Sequence, residues 1–253
     1  MKSKNSMTQE ERHIIENLFE HWTYVGEKAG LITMAPRYKA VIPDGSDWPK
    51  RVFEVAGPEE LAPIAAQIKA GVLPDAVTFT ESQAMEYEHT LSSAGFGAKM
   101  RLQGMIIYLR ENPPAEESGD VQFSLVTNAA EAAVFADIAA QSFNYRVDGA
   151  IVARLLHQED KIKVFTGTYK GAAACSGVIY YDNNGNAGLH FIGTLPDFRG
   201  KGLAAAMTTR LLRECVADGK RYCVLHASKA GLPIYSRLGF EPVKEVITYA
   251  LSL

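Results

Sequence analysis

The sequence predicts an α/β protein: a mixed central sheet flanked by helices in the C-terminal half, with a second α/β domain ahead of it. Three observations lead there. Short apolar runs of strand length alternate along the 253 residues with longer runs of helical period. An acidic, proline-containing stretch, the linker at 113–120, has no apolar period and divides the chain into 1–112 and 121–253. A glycine-rich turn, Arg199-Gly200-Lys201-Gly202, joins an apolar strand to a helix, the place where such sheets bind anions. The length is long for one core and comfortable for two.

Composition narrows the classes of function. The chain is 47% hydrophobic and 22% charged, enough apolar residues for real cores beneath a solvated surface. A formal net charge of −3 argues against a general nucleic-acid or membrane-surface binder. Residues 1–117 hold 12 Lys and Arg against 17 Asp and Glu, and the remainder 14 against 12, so an anionic ligand suits the second half. Cys175, Cys215 and Cys223 are odd in number, lack CxxC spacing and lie in apolar surroundings. They read as buried free thiols in a reducing compartment, with no metal site. The N-terminus, MKSKNSMTQEER, lacks the apolar core of a secretion signal and no run reaches transmembrane length, so a cytoplasmic address is expected.

Each element has its own signal. Thr8 and Glu11 make a capping box for a helix whose apolar face is Ile14, Ile15, Leu18, Phe19 and Trp22, ending before Gly30. Strands are expected at 37–42 and 51–55 around the turn cluster 43–47, a helix over 58–70, a strand over 76–80, a helix over 81–94 and a strand over 99–109. In the second half a strand at 123–126 leads to a helix over 129–141 capped by Asn128. A polar, aromatic break at 143–148 precedes a helix over 149–157. Strands at 164–169 and 172–181 flank the Lys170-Gly171 hairpin, and a turn at 182–186 leads to the strand 187–194. Leu203, Met207, Leu211 and Cys215 then mark one face of a helix that stops at Gly219, followed by strands at 222–227 and 243–251.

The halves share a grammar. The run 76–80, then Tyr87, Ala94-Gly95-Phe96 and 99–109 parallels Cys223-Val224-Leu225-His226, then Tyr235, Leu238-Gly239-Phe240 and 243–251. A duplicated unit and a chance likeness of two βα stretches both account for this. If it is a duplication, the first copy is degenerate, because nothing like the glycine turn stands in the matching place.

The unpaired N–H groups at the start of the Leu203 helix favour negative charge, Gly200 and Gly202 let backbone approach a ligand, and Arg199 and Lys201 add positive charge. No Gly-Lys-Ser/Thr follows, so this is not a Walker loop, and the third glycine of a dinucleotide fingerprint is missing. The pattern Arg/Gln-x-x-Gly-x-Gly/Ala on Arg199, Gly202 and Ala204, with Tyr235-Ser236-Arg237-Leu238-Gly239-Phe240 downstream, resembles the GNAT N-acetyltransferase superfamily over roughly the C-terminal half. The resemblance implies the GNAT (acyl-CoA N-acyltransferase) fold, acetyl-CoA as co-substrate and an amine acceptor. It implies that Ile192, Gly193 and Thr194 bind pantetheine and that backbone from Gly200 through Lys201, Gly202, Leu203 and Ala204 to Ala205 holds the pyrophosphate. A backbone N–H near Ile192 would steady the oxyanion. Tyr235 matches the family tyrosine that protonates the departing thiolate; the plain alternative is an aromatic anchor for the last helix. His190 matches, by offset, a histidine of arylalkylamine N-acetyltransferases, a base poised near pH 7; the plain alternative is a histidine satisfied between sheet and helix. His226 is the second candidate base. Phe143, Asn144, Tyr145, Arg146 and Asp148 fall where the family bounds its acceptor pocket, with an ordinary interhelical loop as the alternative. The family often has Asn after the fifth strand; here Ser228-Lys229 stand there. The expected function is acetyl transfer to an amine of a small molecule or peptide by direct attack. The alternatives are a CoA-binding sensor and an acyl or aminoacyl transferase on a tandem GNAT fold. No nucleic-acid or membrane partner is expected, and a homodimer is compatible with the sequence.

Overall fold

One mixed sheet of eleven strands runs through both halves of the chain. The structure, a computed structural model, describes residues 7–109, 120–158 and 160–252. The expected linker lies outside the described residues except for Asp120. In chain order the elements are α1 (Gln9–Ala29), β1 (Ile32–Ala35), β2 (Tyr38–Val41), β3 (Arg51–Phe53), α2 (Leu61–Lys69), β4 (Val77–Thr80), α3 (Glu81–Glu86), α4 (Glu88–Ser93) and β5 (Phe96–Tyr108). There follow β6 (Val121–Leu125), α5 (Ala129–Phe143), α6 (Gly149–Ala153), β7 (Ile162–Tyr169), β8 (Ala172–Tyr181), β9 (Ala187–Thr194), α7 (Leu203–Ala217), β10 (Tyr222–Ala227), α8 (Leu232–Arg237) and β11 (Glu241–Leu251).

The strand order is β1-β2-β3-β4-β11-β5-β10-β9-β8-β7-β6. The closing strand β11 therefore does not pair with β10. Strand β5, from the first half, stands between them, in register from Gln103↔Ala227 to Tyr108↔Tyr222 on one side and from Phe96↔Leu251 to Ile106↔Glu241 on the other. Read outward from the β5/β11 seam, the two sides repeat each other. An antiparallel neighbour (β4 or β10) is followed by a parallel strand (β3 or β9) and then two antiparallel ones. Only β6 has no counterpart.

Strand alternation sorts the core onto two faces. Leu189, Cys223, Leu225 and Met105 face α7, with Leu203, Met207 and Leu211. Val52, Val77 and Phe79 face α2 and α4 on the same side. On the opposite face α1 crosses the seam, burying Ile14, Leu18, Phe19 and Trp22 on Phe53, Ile106, Val224 and Val246, while α5 and α6 cover β7 and β8. Cys175, Cys215 and Cys223 are free and buried.

Several boundaries differ from the sequence expectation. The helix expected over 81–94 breaks at Tyr87, whose ring is buried edge-on to Phe79 at 5.7 Å. The helix expected over 149–157 ends at Ala153, giving way to turns. Strand β1 has the pattern Ile-Thr-Met-Ala with two exposed central residues and carries no alternation to read. Thr8 caps α1 as expected, accepting from Glu11 N at 3.1 Å, but the Glu11 carboxylate does not complete the box: its Oε1 is buried without a partner.

Candidate active site

Strands β9 and β10 run parallel only from Ala187↔Cys223 to Leu189↔Leu225. Beyond that β9 carries an extra residue: Val178 faces His190, but Ser176, two residues away, faces Gly193, three residues away. Phe191 sits in this bulge with φ 54°. A bulge bends its strand and leaves backbone outside the ladder, so β9 leaves β10 and a cleft opens between them.

A cavity of about 680 Å³ lies at this cleft on the α7 side. Ile192, Gly193 and Thr194 form one wall, Arg199, Gly200, Gly202, Leu203, Ala204 and Ala205 a second, and Tyr235 a third. Gly200 and Gly202 have φ of 77° and 78°, a left-handed backbone that glycine adopts without strain. Gly202 starts α7 with no side-chain cap, so the first N–H groups of a 15-residue helix face the cavity without competition from a capping side chain. Gly193 is required for room: a Cβ there would come within 2.9 Å of Ser142 and Ser176 Oγ. The structure thus gathers these ten sequence-expected positions around one space. Lys201 is not among them; its ammonium donates to Asp197 O at 2.8 Å and lies 5.3 Å over the Phe198 ring. The Arg199 guanidinium is also engaged, donating to Ser142 O at 3.0 Å.

Sequence reasoning missed Ser142, Arg237 and Ile234, which also line the cavity. Ser142 Oγ and Thr194 Oγ1 are buried there without partners, as expected of a site built for a polar ligand. Ser228 lines the cavity and accepts from Gly231 N at 3.2 Å, whereas Lys229 stays outside. Tyr235 is buried, and desolvation pushes its pKa up to about 12, so it holds its proton at neutral pH.

His190 lies on the other face of the sheet, beneath α1. Its ring is 4.1 Å from that of His21 and 6.2 Å from that of His226, which stands across the opening strands. The expected pKa near 7 is not found: burial first, then His21 and His226, holds His190 well below the ordinary range. His21 and His226 are brought down to about 3 and about 4 by the same desolvation. No group of three His, Cys, Asp or Glu side chains among the described residues is placed to hold a metal ion.

The tautomer of His190 follows from its neighbours. Asn17 Nδ2 donates to Asp182 Oδ2 at 3.1 Å, and a carboxylate only accepts. Asn17 Oδ1 therefore faces His190 Nε2, at 3.1 Å, and takes a hydrogen from it. The proton sits on Nε2 and the Nδ1 lone pair is bare. Gly188 permits this approach, because a Cβ there would overlap Asn17 Oδ1 at 1.8 Å.

Of the expected acceptor segment, Phe143 lines the cavity and also meets Phe191 at 5.7 Å. Asn144 ends α5 in a left-handed conformation. Arg146 pairs with Asp47 at 3.1 Å. The Asp148 carboxylate accepts from Ala150 N at 2.8 Å through Oδ1 and caps α6.

The sequence model for the acetyltransferase (GNAT) domain matches residues 128–249. These residues are a GNAT domain. Solved structures agree over most of the chain at the level of fold. A GCN5-related N-acetyltransferase from Kribbella flavida superimposes with a TM-score of 0.68 at 17% identity, covering 94% of this chain and 96% of that one. A GCN5-related N-acetyltransferase from Sphaerobacter thermophilus gives 0.63 at 13% identity, covering 95% and 90%. A tandem GNAT protein from the clavulanic acid biosynthesis pathway gives 0.54 at 13%, covering 84% and 77%. No curated protein matches. Within the GNAT domain, the turn before α7 is the feature on which the resemblance in the sequence rests, and no helix among the described residues is long and apolar enough to cross a membrane.

Proposed function

We propose that the chain transfers an acetyl group from acetyl-CoA to an amine by direct attack, with the C-terminal half holding the co-substrate. One observation carries this: an uncapped helix start behind two left-handed glycines opens into the same cavity as the bulged strand and Tyr235. The amides from Gly200 to Ala205 hold the diphosphate, Arg237 adds positive charge, and Ile192 to Thr194 run beside the pantetheine arm. The amine nitrogen attacks the thioester carbonyl, the C–N bond forms and the C–S bond breaks. The ammonium form of the acceptor loses one proton before attack and the amine nitrogen a second after it. His190 Nδ1 is the acceptor for the first, the Tyr235 hydroxyl donates to the departing sulfur, which ends as free thiol, and the second proton from the nitrogen returns to the Tyr235 oxygen.

The N-terminal half, 1–112, is proposed as a degenerate copy of the same unit. The strand pattern repeated about the seam supports it. The turn matching 199–202 is 54–60, where Glu59 fills the space beside Gly57 and pairs, with Glu60, to Arg37. Two carboxylates there repel a diphosphate, so one cofactor site per chain is proposed. Calorimetric titration with acetyl-CoA tests the reading: one site per chain is expected, and no heat and no thermal shift at millimolar cofactor refute it. Release of free thiol on adding an amine panel separates an enzyme from a binding protein.

A further inference from the structure

The face beneath α1 holds a charged group that the reaction above does not use. Strand β3 alternates, sending Val52 toward α2 and Phe53 toward α1, and so Arg51 also toward α1. The Arg51 guanidinium carbon lies 4.1 Å from the centroid of the Trp22 ring. Its Nε is closed to solvent and makes no hydrogen bond, and no carboxylate among the described residues pairs with it. Burial lowers its pKa to about 10, which leaves it charged at neutral pH.

Arg51 is half-buried, with its Nε closed to solvent, and a partly desolvated guanidinium without a carboxylate is answered only in part by a cation–π contact. Its surroundings continue toward His190. His21 precedes Trp22 on α1, and the His21 ring lies 4.1 Å from that of His190. His21 also meets Trp48 at 6.0 Å, and Trp48 meets Phe191, the bulge residue of β9, at 4.7 Å. Both ring nitrogens of His21 are likewise closed to solvent without partners. Two carboxylates on the loops facing this region have other partners, Asp47 in Arg146 and Asp148 in the start of α6. The charge left unanswered is positive.

We propose that Arg51 anchors the carboxylate of the acceptor, which is a small amino acid whose amine is presented to His190 at the opening of β9 and β10. This rests on the acetyl-transfer reading above and narrows its substrate class. It makes the N-terminal half part of the active site: the GNAT domain holds the thioester and β3 supplies the group that recognises the acceptor. The bond changes are those already given, and the carboxylate is unchanged in the product, an N-acetyl amino acid.

The test compares matched pairs. The full-length protein is given acetyl-CoA at pH 8.5 with each of the common amino acids and with the corresponding amino-acid amides, and free thiol is followed. The amide's amine is the less basic of each pair, so a preference for the acid cannot arise from amine protonation. At least one acid is expected to exceed its amide in kcat/KM by about 10-fold or more, the loss of one charged hydrogen-bond pair corresponding to about 10- to 100-fold. Arg51→Gln is expected to remove that preference, lowering the acid about 10- to 100-fold and leaving the amide and the acetyl-CoA Kd unchanged. Amides used as well as acids, no amino acid acetylated, or Arg51→Gln lowering both alike would overturn the proposal. Should Arg51→Gln not fold, the acid-to-amide comparison on the unaltered protein decides alone. A parallel acetyl-CoA titration keeps the two readings apart: cofactor binding without an acid preference removes only the role of Arg51, whereas no cofactor binding removes the parent reading and this one with it.

Discussion

Replacing Gly202 by Ala separates strain in the turn from ligand approach, provided that a second glycine serves as the control. Gly202 and Gly219 open and close the same helix with φ of 78° and 69°, and an added Cβ meets nothing within 4 Å at either. Both substitutions therefore cost only the left-handed backbone, about 1–2 kcal/mol. For a chain of this size that lowers Tm by about 2–8 °C at either position. The difference lies in what would occupy the open space. At Gly202 it is the cavity, where a methyl group displaces a phosphate oxygen from helix-start amides; at Gly219 it is bulk water. Losing charged hydrogen bonds worth about 1.5–3 kcal/mol raises the Kd about 10- to 100-fold. Calorimetric titration of acetyl-CoA into both variants, with melting curves alongside, reads the two effects independently. Equal Tm losses with an unchanged Kd for Gly202→Ala would refute the diphosphate reading of the turn.

Three further outcomes follow from the site. Tyr235→Phe should lower kcat about 10²- to 10⁴-fold with little change in acetyl-CoA Kd, since only the proton donor is lost; a loss of affinity without a rate effect would return Tyr235 to packing. Because His190 is held neutral far below pH 7 and takes its proton from the bound ammonium, the rate should stay level from pH 7 up to the pKa of the amine itself; a rise through about pH 6.5 would contradict the burial of that ring. His21 and His226 have folded pKa values of about 3 and about 4, below the unfolded 6.5, so the unfolded chain takes up protons first and stability falls as pH drops through 6.5. Each should remove about 2 kcal/mol between pH 7 and 5, and urea midpoints equal at those two values would show the rings to be open to water.

Local signals carried much of the fold. Asn128, Gly219 and the four-residue spacing of Leu203, Met207, Leu211 and Cys215 are short-range features, and the elements they mark lie where the chain predicts. The same holds for the glycines of the turn at 199–202, because left-handed backbone is a property of single residues. What was not legible was long-range. Nothing local to 99–109 says that it will pair with both β10 and β11, and nothing in β1, half exposed and without alternation, marks it as a strand. The state of His190 was hidden for the same reason. Its neighbours Asn17 and His21 come from α1, some 170 residues earlier, so its offset from Ile192 gave its place but not its burial or its proton. Arg51 looked like an unremarkable strand residue until the fold set it over Trp22 with no carboxylate beside it.

The exchange of β5 and β11 across the seam also bears on how the chain is made. Until β11 has been made, β4 and β5 lack the strand that belongs between them, and two sheet borders stay unpaired. Completion of either half thus waits on β11, and losing Glu241–Leu251 would cost the first half its inner strand as surely as the second.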